Sequence, residues 1–178
     1  MYAETLRLVS TLGARRPAPV LPARLNQLFH RLGSVGCDPE PIEEQIWQAW
    51  MHHPHRRAAQ AIERTAADIA AQLYDIAETR LLHLVRACPD FAEAWNKRAT
   101  LYYILERDEE CVRDIHRTLE LEPRHFGALC GLAEILRGAG DSDSAVFVFQ
   151  VALRINPHLS TARTAVEELL GGSHQQLQ

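Results

Sequence analysis

The sequence predicts an all-helical chain built as a stack of helix pairs, and three observations carry that prediction. Pro89, Pro123 and Pro157 recur at intervals of 34 residues and close similar phrases, Arg86-Ala87-Cys88-Pro89, Glu120-Leu121-Glu122-Pro123 and Arg154-Ile155-Asn156-Pro157. A fixed period of that length marks repeated helix pairs, none of which can bury its apolar side alone. Outside the repeat, Leu25, Leu28, Phe29 and Leu32 form one apolar stripe at helical spacing, and Ile42, Ile46, Trp47 and Trp50 form another. Helix starts and stops fall between the periodic stretches. Asp90 with Glu93 three places on reads as a capping box before a helix beginning near Phe91, and Gly138 and Gly140 end one helix before Asp141 or Ser142 starts the next.

Composition bounds what such a stack does. The 178 residues are 47% hydrophobic and 24% charged, enough for one domain with a real core. The 19 basic and 23 acidic residues give a net charge of -4 and are spread along the chain. With a sequence pI of about 6.1, no basic footprint for nucleic acid is present. No run of apolar residues is long enough for an export signal or a membrane span. The expected location is therefore cytoplasmic, or periplasmic if the natural start lies upstream with a signal. Cys37, Cys88, Cys111 and Cys130 lie far apart without a Cys-x-x-Cys pair, and read as reduced thiols.

The proline phrases and the residues between them resemble the tetratricopeptide-repeat (TPR) family, and the stretches Ala94 to Thr100 and Pro123 to Leu129 resemble its small bacterial members. With the proline at place thirty-two, units begin at Ala58, Ala92 and Phe126. The fourth place, large in the family, holds Ala61, Trp95 and Leu129; the eighth, small in the family, holds Thr65, Ala99 and Ala133. At the twentieth, where two helices approach most closely, stand Ala77, Cys111 and Ala145, all small. The usual turn glycine is replaced by Gln72 in the first unit and Glu106 in the second. The resemblance implies a right-handed α-solenoid of three TPR helix pairs, with an N-terminal helical hairpin and a C-terminal capping helix. The boundaries are a flexible segment 1–20, a hairpin 21–57 capping the first unit, three repeats over 58–157 (58–91, 92–125 and 126–159 by frame), a capping helix 160–170 stopped by Gly171-Gly172, and a disordered tail 171–178.

The family's function implies a protein–protein adaptor whose concave groove holds a peptide or helix of a partner. By resemblance the groove is lined by the first helix of each pair, which singles out Ile62, Ile69, Glu93, Asn96, Thr100, Tyr103, Glu134 and Arg137. Ile62 and Ala66 stand where a chaperone-tail clamp would need Lys and Asn, and Gly127 and Gly131 where it would need basic residues, so that ligand is not expected. Two alternatives stay open: a groove filled by the chain's own N-terminal segment, and a homodimer formed through Trp47 and Trp50. Trp95 occupies a core place, and Arg98 is expected to pair with an acidic neighbour on the adjacent helix.

Catalysis has no foothold in the sequence. It holds no phosphate-cradling glycine loop, no Gly-x-Ser-x-Gly and no His-Glu-x-x-His, and the chain is not expected to be an enzyme. His52, His53 and His55 flank the helix breaker Pro54, no carboxylate or thiol accompanies them and no helical i, i+4 pair is available, so no metal and no cofactor is expected.

Overall fold

In the computed structural model the backbone is described for residues 2–175 and the side chains for residues 2–171. Ten α-helices and no strand occur among the described residues: α1 (Tyr2–Thr11), α2 (Arg24–Leu32), α3 (Pro39–Met51), α4 (Arg56–Ala70), α5 (Tyr74–Ala87), α6 (Ala92–Ile104), α7 (Asp108–Leu121), α8 (Phe126–Gly138), α9 (Ser142–Ile155) and α10 (Ser160–Gln175). The chain is an all-helical solenoid in which α4–α5, α6–α7 and α8–α9 form successive pairs and α10 packs on α9.

The pairs form where small residues let two helices approach. Ala77, Cys111 and Ala145 are buried, as are Thr65, Ala99 and Ala133 on the partner helices. Larger side chains from neighbouring helices fill the remaining space, Leu81 and Leu84 in the first pair, Ile115 and Leu119 in the second, Val148 and Phe149 in the third. Each pair turns through one left-handed residue at the same repeat place: Gln72 at φ 59°, Glu106 at φ 56° and Gly140 at φ 80°. The turn is therefore kept where its glycine is lost, at the steric expense of a Cβ in that region. Arg98 reaches across the second pair to the buried Asp114, with Nε–Oδ2 2.6 Å and Nη2–Oδ1 2.8 Å. This two-pronged bond clamps α6 to α7.

Four features differ from the sequence reading. The segment 1–20 is not a flexible lead: α1 lies across α7 and α9, with Leu8, Val9 and Leu12 buried among core residues of the second and third pairs. Its polar side is also engaged, through Thr5 Oγ1 and His116 Nδ1 at 3.2 Å. The hairpin α2–α3 meets the first unit only at the end of α3, through Met51. Its apolar stripes close instead on Phe126, at the start of α8. No capping box forms on α6, whose start makes no side-chain cap bond, because Glu93 is turned inward toward His125. Finally, α10 continues through Gly171 and Gly172 to Gln175, so the expected stop is passed and only 176–178 of the expected tail lie outside the described residues. Glycine lowers helix propensity by about 1 kcal/mol per residue, which does not by itself end a helix.

The two non-glycine turns lead to a stability prediction. Gln72→Gly and Glu106→Gly should each raise unfolding free energy by about 0.5–1 kcal/mol, since relief of the left-handed strain exceeds the added chain entropy. Urea midpoints of the single and double variants check this, and Gly140→Gln should move the other way.

Candidate functional site

The residues expected to line the groove fall into two groups along the first helices of the pairs. Ile62 is fully buried inside the first pair, and Glu93 and Asn96, in the first half of α6, are buried as well. These three are not open groove residues, and the expectation for them is corrected. Nearer the helix ends the surface is accessible: Thr100 is exposed, Tyr103 is 49% exposed, Arg137 is exposed, and Ile69 and Glu134 are half-buried.

What closes the first half is α3. Trp47 lies so close to Gly127 that a Cβ on that glycine would sit 2.6 Å from Trp47 Cη2. Trp50, with no exposed surface, stacks on the His125 ring at 4.0 Å between centroids and 12° between planes. Its indole Nε1–H donates to Glu122 Oε2 at 3.4 Å. The hairpin is then tied down along its length. Arg124 donates to Asn26 Oδ1 at 2.8 Å while its guanidinium lies over the Phe29 ring. Asn156 Nδ2 donates to Glu43 Oε1 at 2.7 Å, and the His158 ring N–H donates to the Leu32 carbonyl at 3.1 Å. Glu122, Arg124 and His125 belong to the connection between α7 and α8, and Asn156 and His158 to that between α9 and α10, so the hairpin runs along the edge where these connections lie.

Under the tryptophans is a buried polar network. His125 accepts the Ala128 backbone N–H through Nδ1 at 3.1 Å, capping α8. The imidazole proton must then sit on Nε2, which donates to Glu93 Oε2 at 2.9 Å. Glu93 also holds Lys97 Nζ at 3.2 Å, and Asn96 Nδ2 donates to it at 3.3 Å. Burial alone would raise the Glu93 carboxyl, but the His125 bond and the Lys97 ammonium outweigh it and hold the group below its ordinary value. At Asp114 the balance is opposite: burial pushes its carboxyl up in spite of Arg98.

The thiols are pushed toward the inert form. Burial, reinforced by nearby carboxylates, moves Cys111 up to about 12 and Cys130 up to about 11, so both are protonated at neutral pH and poor nucleophiles. Among the described residues no group of three or more His, Cys, Asp or Glu side chains is placed to hold a metal ion. No helix among them is long and apolar enough to cross a membrane. His52, His53 and His55 lie in the connection between α3 and α4.

The sequence reading missed the hairpin's docking surface. Its one legible signal is Gly127, a glycine in the first turn of a helix where no turn or stop requires it, which the structure explains by the indole lying against it.

Two predictions follow from the buried contact. Gly127→Ala should lower stability by about 1–3 kcal/mol through overpacking and speed hydrogen exchange in α2–α3 while the repeat helices keep theirs. Glu93 is lowered, so its stabilisation is present above the unfolded carboxylate value of about 4.3 and is lost as pH falls through its lower folded value. Glu93→Gln should cost about 2 kcal/mol at pH 7 and flatten the pH dependence of the urea midpoint below pH ~4.3. Asp114 is raised and titrates in the opposite sense, so the difference between variant and parent isolates Glu93.

No family model matches the chain. A TPR repeat-containing protein of Rhizobium etli is 41% identical over 81 residues, which cover 46% of this chain and 40% of that relative, so the match spans less than half of either. The crystal structure of MamA protein shares the fold, with a TM-score of 0.61 over 97% of this chain and 84% of that one at 14% sequence identity.

Proposed function

We propose that this chain of tetratricopeptide repeats is a protein-binding scaffold that takes a short peptide or helix of a partner on the open half of its first-helix face. The observation that carries the reading is the pair Tyr103 and Ile104, 49% and 41% exposed at the end of α6, two large apolar side chains left in water beside the hydroxyl of Thr100. Exposed aromatic groups flanked by polar ones suit a binding hot spot. Ile69, on α4, extends the apolar part. Glu134 and Arg137, paired at 2.7 Å on α8, supply a polar border that continues to Glu168 on α10. The ligand is short because Trp47 and Trp50 occupy the ground beyond Asn96. Similarity to a TPR repeat-containing relative supports a protein as the partner class.

A homodimer through Trp47 and Trp50 is not part of this reading. Trp50 has no exposed surface and Trp47 packs on His125 and Phe126 within the same chain. Catalysis is not part of it either.

A photo-crosslinking amino acid placed at Tyr103 in the native organism should yield one discrete protein adduct, and the same group at the exposed Glu109 on α7 should not. Tyr103→Ala with Arg137→Ala should weaken binding of the adduct partner about tenfold or more with unchanged helicity. Equal labelling at both positions, or an unaffected affinity, would move the binding surface off this face.

A further inference from the structure

We propose a second binding site on the outer face of the first helix pair, which takes an aromatic side chain carried on an acid-flanked amphipathic helix of a partner protein. The argument starts from one repeat place. At the fourth place of the second unit, Trp95 is half-buried against core residues of the first pair. Its Nε1–H donates to the Pro89 carbonyl at 3.1 Å and its ring lies under the Arg98 guanidinium at 4.9 Å. The third unit has Leu129 there, fully buried. The first unit has Ala61, and beside it, between α4 and α5, the structure has an open cavity of about 720 Å³ floored by Ala58, Ala61, Leu84 and Ala87. The missing side chain is thus the one that the same fold fills with an indole one unit later.

A second feature states what kind of element would bring that side chain. The second helix of a pair covers the next pair's first helix, α5 against α6 and α7 against α8. The helix that precedes α4 in the chain is α3, and its aromatic residues are engaged on Phe126 and His125 instead. The first pair is therefore met by α3 only at its end, through Met51, it lacks the tryptophan, and Ile76 at the cavity rim is left 50% exposed. A partner helix lying there supplies both the cover and the indole. The rim also selects charge: Arg57, Arg80 and the imidazoles of His55 and His83 face one carboxylate, Asp75. Arg80 is already held by Asp68 at 2.9 Å, so Arg57 is the cation that an acidic flank would meet. The volume lies within the roughly 300–1,000 Å³ of ordinary ligand clefts, which makes a free planar aromatic the competing occupant.

The probe is a side-chain-stapled acidic helix of about 15 residues with one Trp, stapled because isolated helices of that length are marginal, beside the same peptide with Ala in place of Trp. Fluorescence anisotropy on the full chain should show the Trp peptide binding at least tenfold tighter. Ala61→Trp should abolish that binding and raise Tm, Arg57→Glu should weaken it severalfold, and Tyr103→Ala should leave it unchanged, which separates this site from the first-helix face. Should Ala61→Trp fail to fold, Ala61→Leu, which copies the third unit, replaces it. Equal binding of the two peptides, no binding of either, or binding that survives a filled cavity would overturn the proposal. N-acetyltryptophanamide binding as tightly as the Trp peptide would also overturn it, in favour of a small-molecule site.

Discussion

A carboxylate with no surface in water is tolerated only when hydrogen-bond donors replace the water it has lost, and much of this structure follows from how Glu93 obtains them. The Nε2 proton of His125 meets one oxygen and the Lys97 ammonium the other. Because Nδ1 of the same ring caps α8, the imidazole is held from both sides and its face is presented as a flat shelf. Trp50 stacks on that shelf and Trp47 slides over Gly127. One buried acid on α6 thereby fixes the start of α8, joins the second unit to the third, and sets the height at which the hairpin docks. The half of the first-helix face beyond Asn96 is closed as a consequence.

A repeat stack has two ends and an outer surface, and each apolar residue left there must be covered or remain in water. This chain covers unequally. The segment before the repeats spends α1 on the outer side of the second and third pairs and the hairpin on their connecting edge, while α10 closes the far end with Ala162 and Ala165 buried. The first pair receives little of this. Its surface keeps Leu73 and Ile76 about half exposed and the cavity beside Ala61 open. The same 34-residue unit is therefore a closed core in its second and third copies and an open one in its first, and the difference lies in one side chain and in where α3 is placed.

How much of this is legible in the sequence follows from what is local. The pairs are, because the proline period, the small residues at Ala77, Cys111 and Ala145 and the helix-ending Gly140 act within one unit. The Arg98–Asp114 bond is legible as a pairing, since both residues lie within a single pair. The hairpin helices are legible from their stripes, but their docking is not: Trp47 and Trp50 show the same spacing whichever surface they meet. Likewise the N-terminal segment offers only a few apolar residues, and Leu8, Val9 and Leu12 join a core built by the distant second and third pairs. Glu93 and Asn96 misled because a polar residue on a first helix is ordinarily solvated, and nothing in their neighbourhood in sequence announces His125. The accessibility of the first-helix face was therefore legible where it is open, at Thr100, Tyr103 and Arg137, and illegible where a distant segment closes it.

Magnitudes decide whether the closed half is a gate. A fully buried aromatic removes roughly 150–250 Å² from water, about 4–6 kcal/mol at ~25 cal/mol per Å² as an upper bound. Lifting the α2–α3 hairpin exposes Trp50 entirely and Trp47 and Phe29 in part, and it also breaks the bonds accepted by Glu122, Asn26, Glu43 and Leu32. A partner of micromolar affinity releases only about 8 kcal/mol in total. Most or all of that would be consumed in displacing the hairpin, whereas the surface around Tyr103 and Ile104 is already in water and requires no displacement. The hairpin is thus a fixed wall beside the proposed binding face, standing where a longer ligand would have to lie.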